Sequence, residues 1–337
     1  MSGRYRIIGA EASPYSVKLR AILRYRRLPH DWVIRTPDVV PEIEHVKPLL
    51  VPVLRMADDG SYHTDSTPIA YALEDRHPGQ RSIIPDDPGH AFLSHLIEDM
   101  GDEWFTKVMF HYRFADAQDQ NYAARWVIGD ARPDLTGRDL DEAIEAFRQR
   151  QVGRMPLVGC TPENTPVIEA SFERLLGILQ GHVGSGRFLF GSRPSLADFG
   201  LFGQLKTLAT DPTPLARIRD AAPDVEHWIR RLDDASGVEG AWIDPSAPLP
   251  DGVMNLLRLA GNLYLPYIAA NSEATERGDE TFAVDLPGGR HEQRTFRYQV
   301  KCLAWLREEL AGLSGESLER TRATLEETGC WRFLAAS

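Results

Sequence analysis

Arg4-Tyr5-Arg6-Ile7-Ile8-Gly9-Ala10-Glu11-Ala12-Ser13-Pro14-Tyr15-Ser16-Val17-Lys18-Leu19-Arg20 is the stretch that decides how the chain begins. Ile7 and Ile8 centre a short run from Arg4 to Gly9, which reads as a strand. Ser13-Pro14 then opens a helical pattern through Arg27, with Val17, Ala21 and Ile22 on one face. A serine before the first turn accepts a hydrogen bond from an orphan backbone N–H, and proline in that turn is preset for a helix start. The same turn can do chemistry. A helix N-terminus is electropositive and presents free N–H groups, so a thiolate placed there is favoured over its thiol. The Ser13 hydroxyl could donate a hydrogen bond to that sulfur.

Outward from this stretch, residues 31–35 hold Trp32, Val33 and Ile34, a second strand. Residues 37–48 are bounded by prolines and hold one short helix, and residues 53–56 read as a strand. Asp58-Asp59-Gly60 is a hairpin signal, residues 61–64 continue it, and residues 65–76 are helical. The order β-α-β-α-β-β-α within residues 1–80 predicts an α/β thioredoxin-like domain. Residues 78–89, rich in Pro, Gly and Asp, form a linker. Helical patterns follow at 90–114, 121–128, 139–150, 165–180, 196–208 and 225–233, an all-α domain over 90–245. A Pro-rich segment at 243–251 precedes a helical block at 252–270. A hairpin at 281–296 turns on Pro287-Gly288-Gly289, and helices are expected at 296–310 and 316–328.

The chain has 337 residues, 42% hydrophobic and 26% charged, an ordinary globular balance. A net charge of -11 repels nucleic acid. Cys160, Cys302 and Cys330 lie far apart with no Cys-x-x-Cys pair, which argues against a disulfide framework and a cysteine zinc site. No metal, a reducing compartment and a cytoplasmic location are the expectation. The first residues lack a basic start with an apolar run, and no stretch of roughly 18 apolar residues occurs, so neither a signal peptide nor a membrane span is expected.

Two more constellations complete the first domain. In Lys47-Pro48-Leu49-Leu50-Val51-Pro52-Val53-Leu54, a cis bond at Val51–Pro52 would expose the backbone N–H and C=O of Val51 to a ligand. In His63-Thr64-Asp65-Ser66-Thr67-Pro68-Ile69-Ala70, the helix start can capture a carboxylate, and Asp65 can bind an ammonium beside it. Together they suit an α-amino acid, which carries one charge of each sign.

A place for a thiol, one for a peptide backbone and one for an amino-acid head describe the shape of glutathione. The Ile7-Ile8-Gly9-x-x-x-Ser13-Pro14-Tyr15 run, Val51-Pro52 and Asp65-Ser66 resemble the glutathione transferase superfamily, nearest its serine-type classes. The resemblance covers residues 4–80 well and 90–235 loosely. It implies Ser13 as the activator of the glutathione thiol, Val51 with Pro52 as the partner of the cysteinyl backbone, and Asp65 and Ser66 as binders of the γ-glutamyl end. Leu49 and Leu50 stand where basic residues often precede Val-Pro, so Arg35, His45 and Lys47 are candidates for the glycyl carboxylate. Leu189-Phe190-Gly191-Ser192-Arg193-Pro194-Ser195-Leu196-Ala197-Asp198-Phe199 resembles the family's helical-domain signature, with Ser195-x-x-Asp198 as a capping box. Pro68 is unusual where a plain helix former is expected. Residues 130–166 look inserted, and residues 246–337 form an extension expected to pack on the helical domain.

Trp104, Phe105, Met109 and Tyr112 recur at helical spacing, as packing or as an apolar pocket for the electrophile. Tyr15, Trp104, Met109, His111 and Tyr112 are the candidate lining; His111 and Arg113 flank it, with solvent-facing placement favoured. Ser16 stands where a redox motif would carry a second cysteine, so thiol–disulfide exchange by the protein itself is disfavoured. Tyr5 lies too early to activate the thiol and reads as packing. Phe296, Val300, Leu303 and Leu306 make a face that packs the extension or closes over the pocket. The expected activity is conjugation of glutathione, as cosubstrate, to an apolar electrophile in detoxification by a homodimer. The alternatives are a non-catalytic glutathione-fold binding or scaffold protein and a glutathione-dependent lyase or reductase.

Overall fold

The alternation of Ile7 and Ile8 along a two-residue period builds the first domain. In the computed structural model, which describes residues 3–79, 81–184 and 188–335, Ile7 joins Leu19, Leu23, Leu54, Ile69 and Leu73 on one face of a sheet, and Ile8 joins Ile43 and Val53 on the other. Burying each isoleucine contributes about 1.5–3 kcal/mol. The elements are β1 (Tyr5–Gly9), α1 (Pro14–Tyr25), β2 (His30–Ile34), α2 (Val40–Ile43), β3 (Val53–Arg55), β4 (Tyr62–Thr64) and α3 (Ser66–Arg76). The sheet order is β2-β1-β3-β4, with β1 parallel to β2 through the α1 crossover and β3 antiparallel to both neighbours. Met1, Ser2, Gln80, Ser185, Gly186, Arg187, Ala336 and Ser337, which the expected segments include, lie outside the described residues.

Helix α1 is buried on two sides. Leu19 and Leu23 meet the sheet, whereas Val17, Ala21, Ile22 and Tyr25 belong to the core of the helices that follow. Those helices are α4 (Pro88–Glu103), α5 (Phe105–Phe114), α6 (Ala117–Ala131), α7 (Gly137–Arg154), α8 (Thr165–Val183), α9 (Leu196–Leu208), α10 (Pro212–Ala221) and α11 (Pro223–Asp233), with a 3-10 turn at Met155–Val158. The expected helix at 90–114 is two, parted at Trp104. Helix α10 was not expected. Pro212 and Pro214 both fall in its first turn, where a missing N–H costs nothing.

Beyond α11 lie α12 (Asp251–Leu259), a π turn (Ala260–Tyr264), α13 (Leu265–Arg277), β5 (Thr281–Leu286), β6 (Gly289–Arg294), α14 (Arg297–Gly312), α15 (Gly315–Glu327) and α16 (Trp331–Leu334). The π turn interrupts the expected 252–270 helix directly before Pro266, which has no N–H to donate four residues back. The β5–β6 hairpin docks on the start of α8. Buried Asn164 donates to the carbonyls of Gly159 (2.8 Å) and Glu292 (2.7 Å) and accepts from the Glu292 N–H (3.0 Å). Helices α14 and α15 lie on α4, with His95 bonded to Glu309 at 2.7 Å. The inward face of α14 is Gln299, Cys302, Leu303, Leu306 and Leu310. Phe296, expected on that face, is 52% exposed. Among the described residues no helix is long and apolar enough to cross a membrane.

Candidate active site

Ser13 caps α1 in an extended conformation (φ -96, ψ 116), and its Oγ accepts the Ser16 N–H at 3.3 Å. The residue is half-buried, and among the described residues no acceptor takes its hydroxyl proton. The mouth of α1 is held from behind. Arg113 of α5 donates through Nη1 to the Ala12 carbonyl (2.9 Å) and through Nε to Asp211 Oδ2 (2.7 Å). Helix α9 presents Gly203 to the Pro14 carbonyl, where a Cβ would lie 2.6 Å from the oxygen. The start of α9 carries the capping box: Asp198 Oδ2 accepts the Ser195 N–H (2.8 Å) and hydroxyl (2.6 Å), and Oδ1 accepts the Leu189 N–H (3.0 Å). Burial pushes the Asp198 carboxyl up to about 6.

The peptide bonds at Lys47–Pro48 and Val51–Pro52 are both cis. Among the described residues no hydrogen bond takes the backbone N–H or C=O of Val51, while Thr64 Oγ1 secures the next residue by donating to the Pro52 carbonyl at 3.2 Å. Arg35 donates its backbone N–H to Gly9 (2.8 Å), and its half-buried guanidinium has no partner among the described residues. Lys47 is exposed and donates to the Glu44 carbonyl at 3.0 Å. His45 is exposed, edge-on to Tyr62.

At the start of α3, Asp65 adopts φ 80 and ψ 114, a left-handed setting that costs a non-glycine residue about 1–3 kcal/mol. Its carboxylate makes no capping bond to the helix and instead accepts the hydroxyl of Tyr298, from α14, at 2.5 Å. Ser66 and Thr67 are buried; their backbone N–H groups stand in the first turn, ahead of the intrahelical ladder. Pro68 sits in the same turn, where it loses nothing.

Behind this turn lies fully buried Lys18, paired with Glu98 and with Asp102 Oδ2 (2.7 Å) and donating to Thr67 Oγ1 (3.1 Å). Burial alone would lower the Lys18 pKa, but Asp102 and Glu98 outweigh it and hold it above its ordinary value. Asp99 and Glu103 of α4 are buried as well. Burial pushes Asp99 up to about 6, and burial with the nearby Asp99 charge pushes Glu103 up to about 8. Tyr15 donates its hydroxyl to the Asp102 carbonyl at 3.1 Å. The flank that α4 turns toward Tyr15 and α3 is therefore acidic and buried.

Of the expected lining, Tyr15 alone is tied to the mouth of α1. Trp104 is fully buried, donates to Ser171 (2.9 Å) and packs edge-on to Tyr267. Met109 is core. His111 meets Glu169 at 3.2 Å and Tyr112 packs on Phe172, so both face α8. These four are core residues of the helical domain, and neither His111 nor Arg113 faces solvent. Tyr5 is buried, its hydroxyl 2.7 Å from His77 Nε2. Burial pushes the thiols of Cys160 and Cys330 up to about 12 and about 11, which makes them inert. Among the described residues no group of His, Cys, Asp or Glu could hold a metal. The sequence reading missed Tyr298 and the buttress from Arg113; an aromatic pair at Phe296-x-Tyr298 was the only trace of the first.

A four-stranded mixed sheet with a capped helix mouth, followed by helices, is the architecture of a thioredoxin-like domain joined to an all-α domain. The models described as "Glutathione S-transferase, N-terminal domain" and "Glutathione S-transferase, C-terminal domain" match residues 7–81 and 138–231, together half of the chain. The chain belongs to the glutathione S-transferase superfamily. Among solved structures it is similar to a glutathione S-transferase from Methylobacterium radiotolerans in complex with glutathione sulfonate (22% identity, 73% of this chain and 100% of that one, TM-score 0.42). It is also similar to a β-etherase from Sphingobium (20%, 69% and 95%, 0.46) and to a glutathione transferase from Phanerochaete chrysosporium (16%, 71% and 100%, 0.49). No curated protein matches.

Proposed function

We propose that this protein is a serine-type glutathione transferase in which Ser13 stabilises the glutathione thiolate. The observation that carries the reading is the Ser13 hydroxyl, half-exposed at the mouth of α1 with its proton uncommitted. Glutathione itself is the ligand that the family and the site geometry favour. Its cysteinyl backbone pairs with the free N–H and C=O of Val51. Its γ-glutamyl carboxylate meets the N–H groups of Ser66 and Thr67, and its ammonium meets Asp65. Arg35, whose guanidinium has no partner among the described residues, takes the glycyl carboxylate, with Lys47 as the second candidate cation.

The thiol proton leaves to solvent, and the thiolate accepts a hydrogen bond from Ser13 Oγ at a positive helix end. A hydrogen bond to a charged group contributes about 1.5–3 kcal/mol and the helix end about 0.3–1. At about 1.4 kcal/mol per unit, their sum lowers an ordinary thiol pKa of about 8.5 to about 6–7. The sulfur then attacks the electrophile: a C–S bond forms, and the leaving group departs with its electron pair. Ser13 stays neutral throughout, and positioning supplies much of the rate. A cytoplasmic location and a homodimer belong to the same proposal.

The test is Ser13→Ala, assayed against a panel of electrophiles across pH. Transfer should fall about 10- to 150-fold, and the pH midpoint of the remaining rate should climb toward that of free glutathione. Calorimetric binding of glutathione should change less than about threefold. Full activity in the variant would overturn the role of Ser13; an inactive wild type that still binds glutathione would favour the scaffold alternative.

A further inference from the structure

Asp65 is an N-cap aspartate that does not cap. The usual N-cap aspartate accepts a first-turn N–H and stabilises its helix by about 1 kcal/mol. Here the backbone stays in a costly left-handed setting and the carboxylate points elsewhere. Its one hydrogen-bond partner among the described residues is Tyr298, 233 positions later. Tyr298 opens α14, in a segment that begins after the family-matched residues end at 231. It is 40% exposed, with Phe296 tilted against it at 6.2 Å. Next along α14, Gln299 donates to Glu103 Oε2 at 3.1 Å, which anchors this turn on α4.

We propose that Tyr298 is a positioning residue of the glutathione site, through which the C-terminal segment completes the pocket for the γ-glutamyl ammonium. The inference rests on the function proposed above. Tyr298 donates to Asp65 Oδ2, so the carboxylate is fixed with Oδ1 open to the ligand. The phenol oxygen keeps lone pairs that can accept an ammonium N–H. Its pKa is raised by burial and by the Asp65 carboxylate, so the phenol stays protonated and remains a donor. The ligand's cation thus meets a carboxylate whose rotamer is already set, and less ordering entropy is lost on binding.

The test compares wild type with Tyr298→Phe, which keeps the ring and removes the hydroxyl. Both are titrated calorimetrically with glutathione and with its analogue lacking the γ-glutamyl amino group. Glutathione should bind the variant about 5- to 20-fold more weakly, while the analogue should bind both proteins equally. In turnover, KM for glutathione should rise and kcat should hold. Equal or tighter glutathione binding by the variant overturns the proposal, because Tyr298 is then a bystander or an obstacle. Equal weakening of both ligands also overturns it, because the hydroxyl then serves the fold alone. A wild type that binds no glutathione overturns the function reading itself, a result distinct from the other two.

Discussion

The Arg113 guanidinium bridges Asp211 and the Ala12 carbonyl, at 2.7 and 2.9 Å, so the residue before Ser13 is tied to a buried ion pair of the helical domain. Its planar fork serves both partners at once, and a third N–H reaches the Thr207 carbonyl at 3.4 Å. The angle of the Ser13 loop is therefore set by α5 and by the turn after α9.

A lysine at 113 keeps a charge for Asp211 but cannot span both acceptors. Arg113→Lys should lose about tenfold in kcat/KM, with a stability loss of about 1 kcal/mol by denaturant unfolding. Arg113→Met strands the Asp211 charge and should cost about 3–5 kcal/mol. Unchanged kcat/KM in the lysine variant would show that the Ala12 contact does not position Ser13.

Gly203 marks where α9 and α1 touch. A side chain there meets the Pro14 carbonyl and the Cβ of Lys18. Gly203→Val should destabilise by about 1–3 kcal/mol and push the mouth of α1 outward, so activity should fall more than stability explains. A variant as stable and active as wild type would contradict the close approach.

Glu103 makes stability depend on pH. Its carboxyl titrates at about 8 when folded, against an ordinary value of 4.5. Below pH 4.5 both states hold the proton and nothing is lost. As pH rises to 8, the unfolded chain gives up its proton first and gains on the folded one. Glu103→Gln mimics the protonated form and keeps an acceptor for Gln299. It should unfold at the same temperature as wild type near pH 4 and at a higher temperature at pH 9. Coincident melting curves at pH 9 would remove Glu103 as a source of the dependence.

The first domain was legible because its signals are local. Ser13-Pro14, Val51-Pro52 and Asp65-Ser66 each announce a turn within a few residues, and the two-residue period of Ile7-Ile8 marks the central strand. The capping box of Ser195 and Asp198 was legible for the same reason. What was not legible depends on helix phase against distant partners. Periodicity showed that Trp104, Met109 and Tyr112 share a face but not that this face meets α8. It likewise grouped Val17, Ala21 and Ile22 without showing that the sheet takes Leu19 and Leu23 instead. The acidic run Glu98-Asp99 and Asp102-Glu103 was not legible, because its partners come from other helices: Lys18 pairs with Glu98 and Asp102, Tyr264 with Asp99 and Gln299 with Glu103. Tyr298 shows in the sequence only as an aromatic two residues after Phe296, because its meaning lies in a residue 233 positions away.

The hydroxyl that Asp65 accepts has a consequence for the order of events during synthesis. The sheet and its helices leave the ribosome first and can fold as they emerge. The aspartate then waits, solvated and free to turn, until Tyr298, 233 positions later, has been made. On the proposal that Tyr298 sets the Asp65 carboxylate, ligand binding at the start of α3 waits on the synthesis of α14, and a product terminated before it would carry Ser13 at its helix mouth with Asp65 unset.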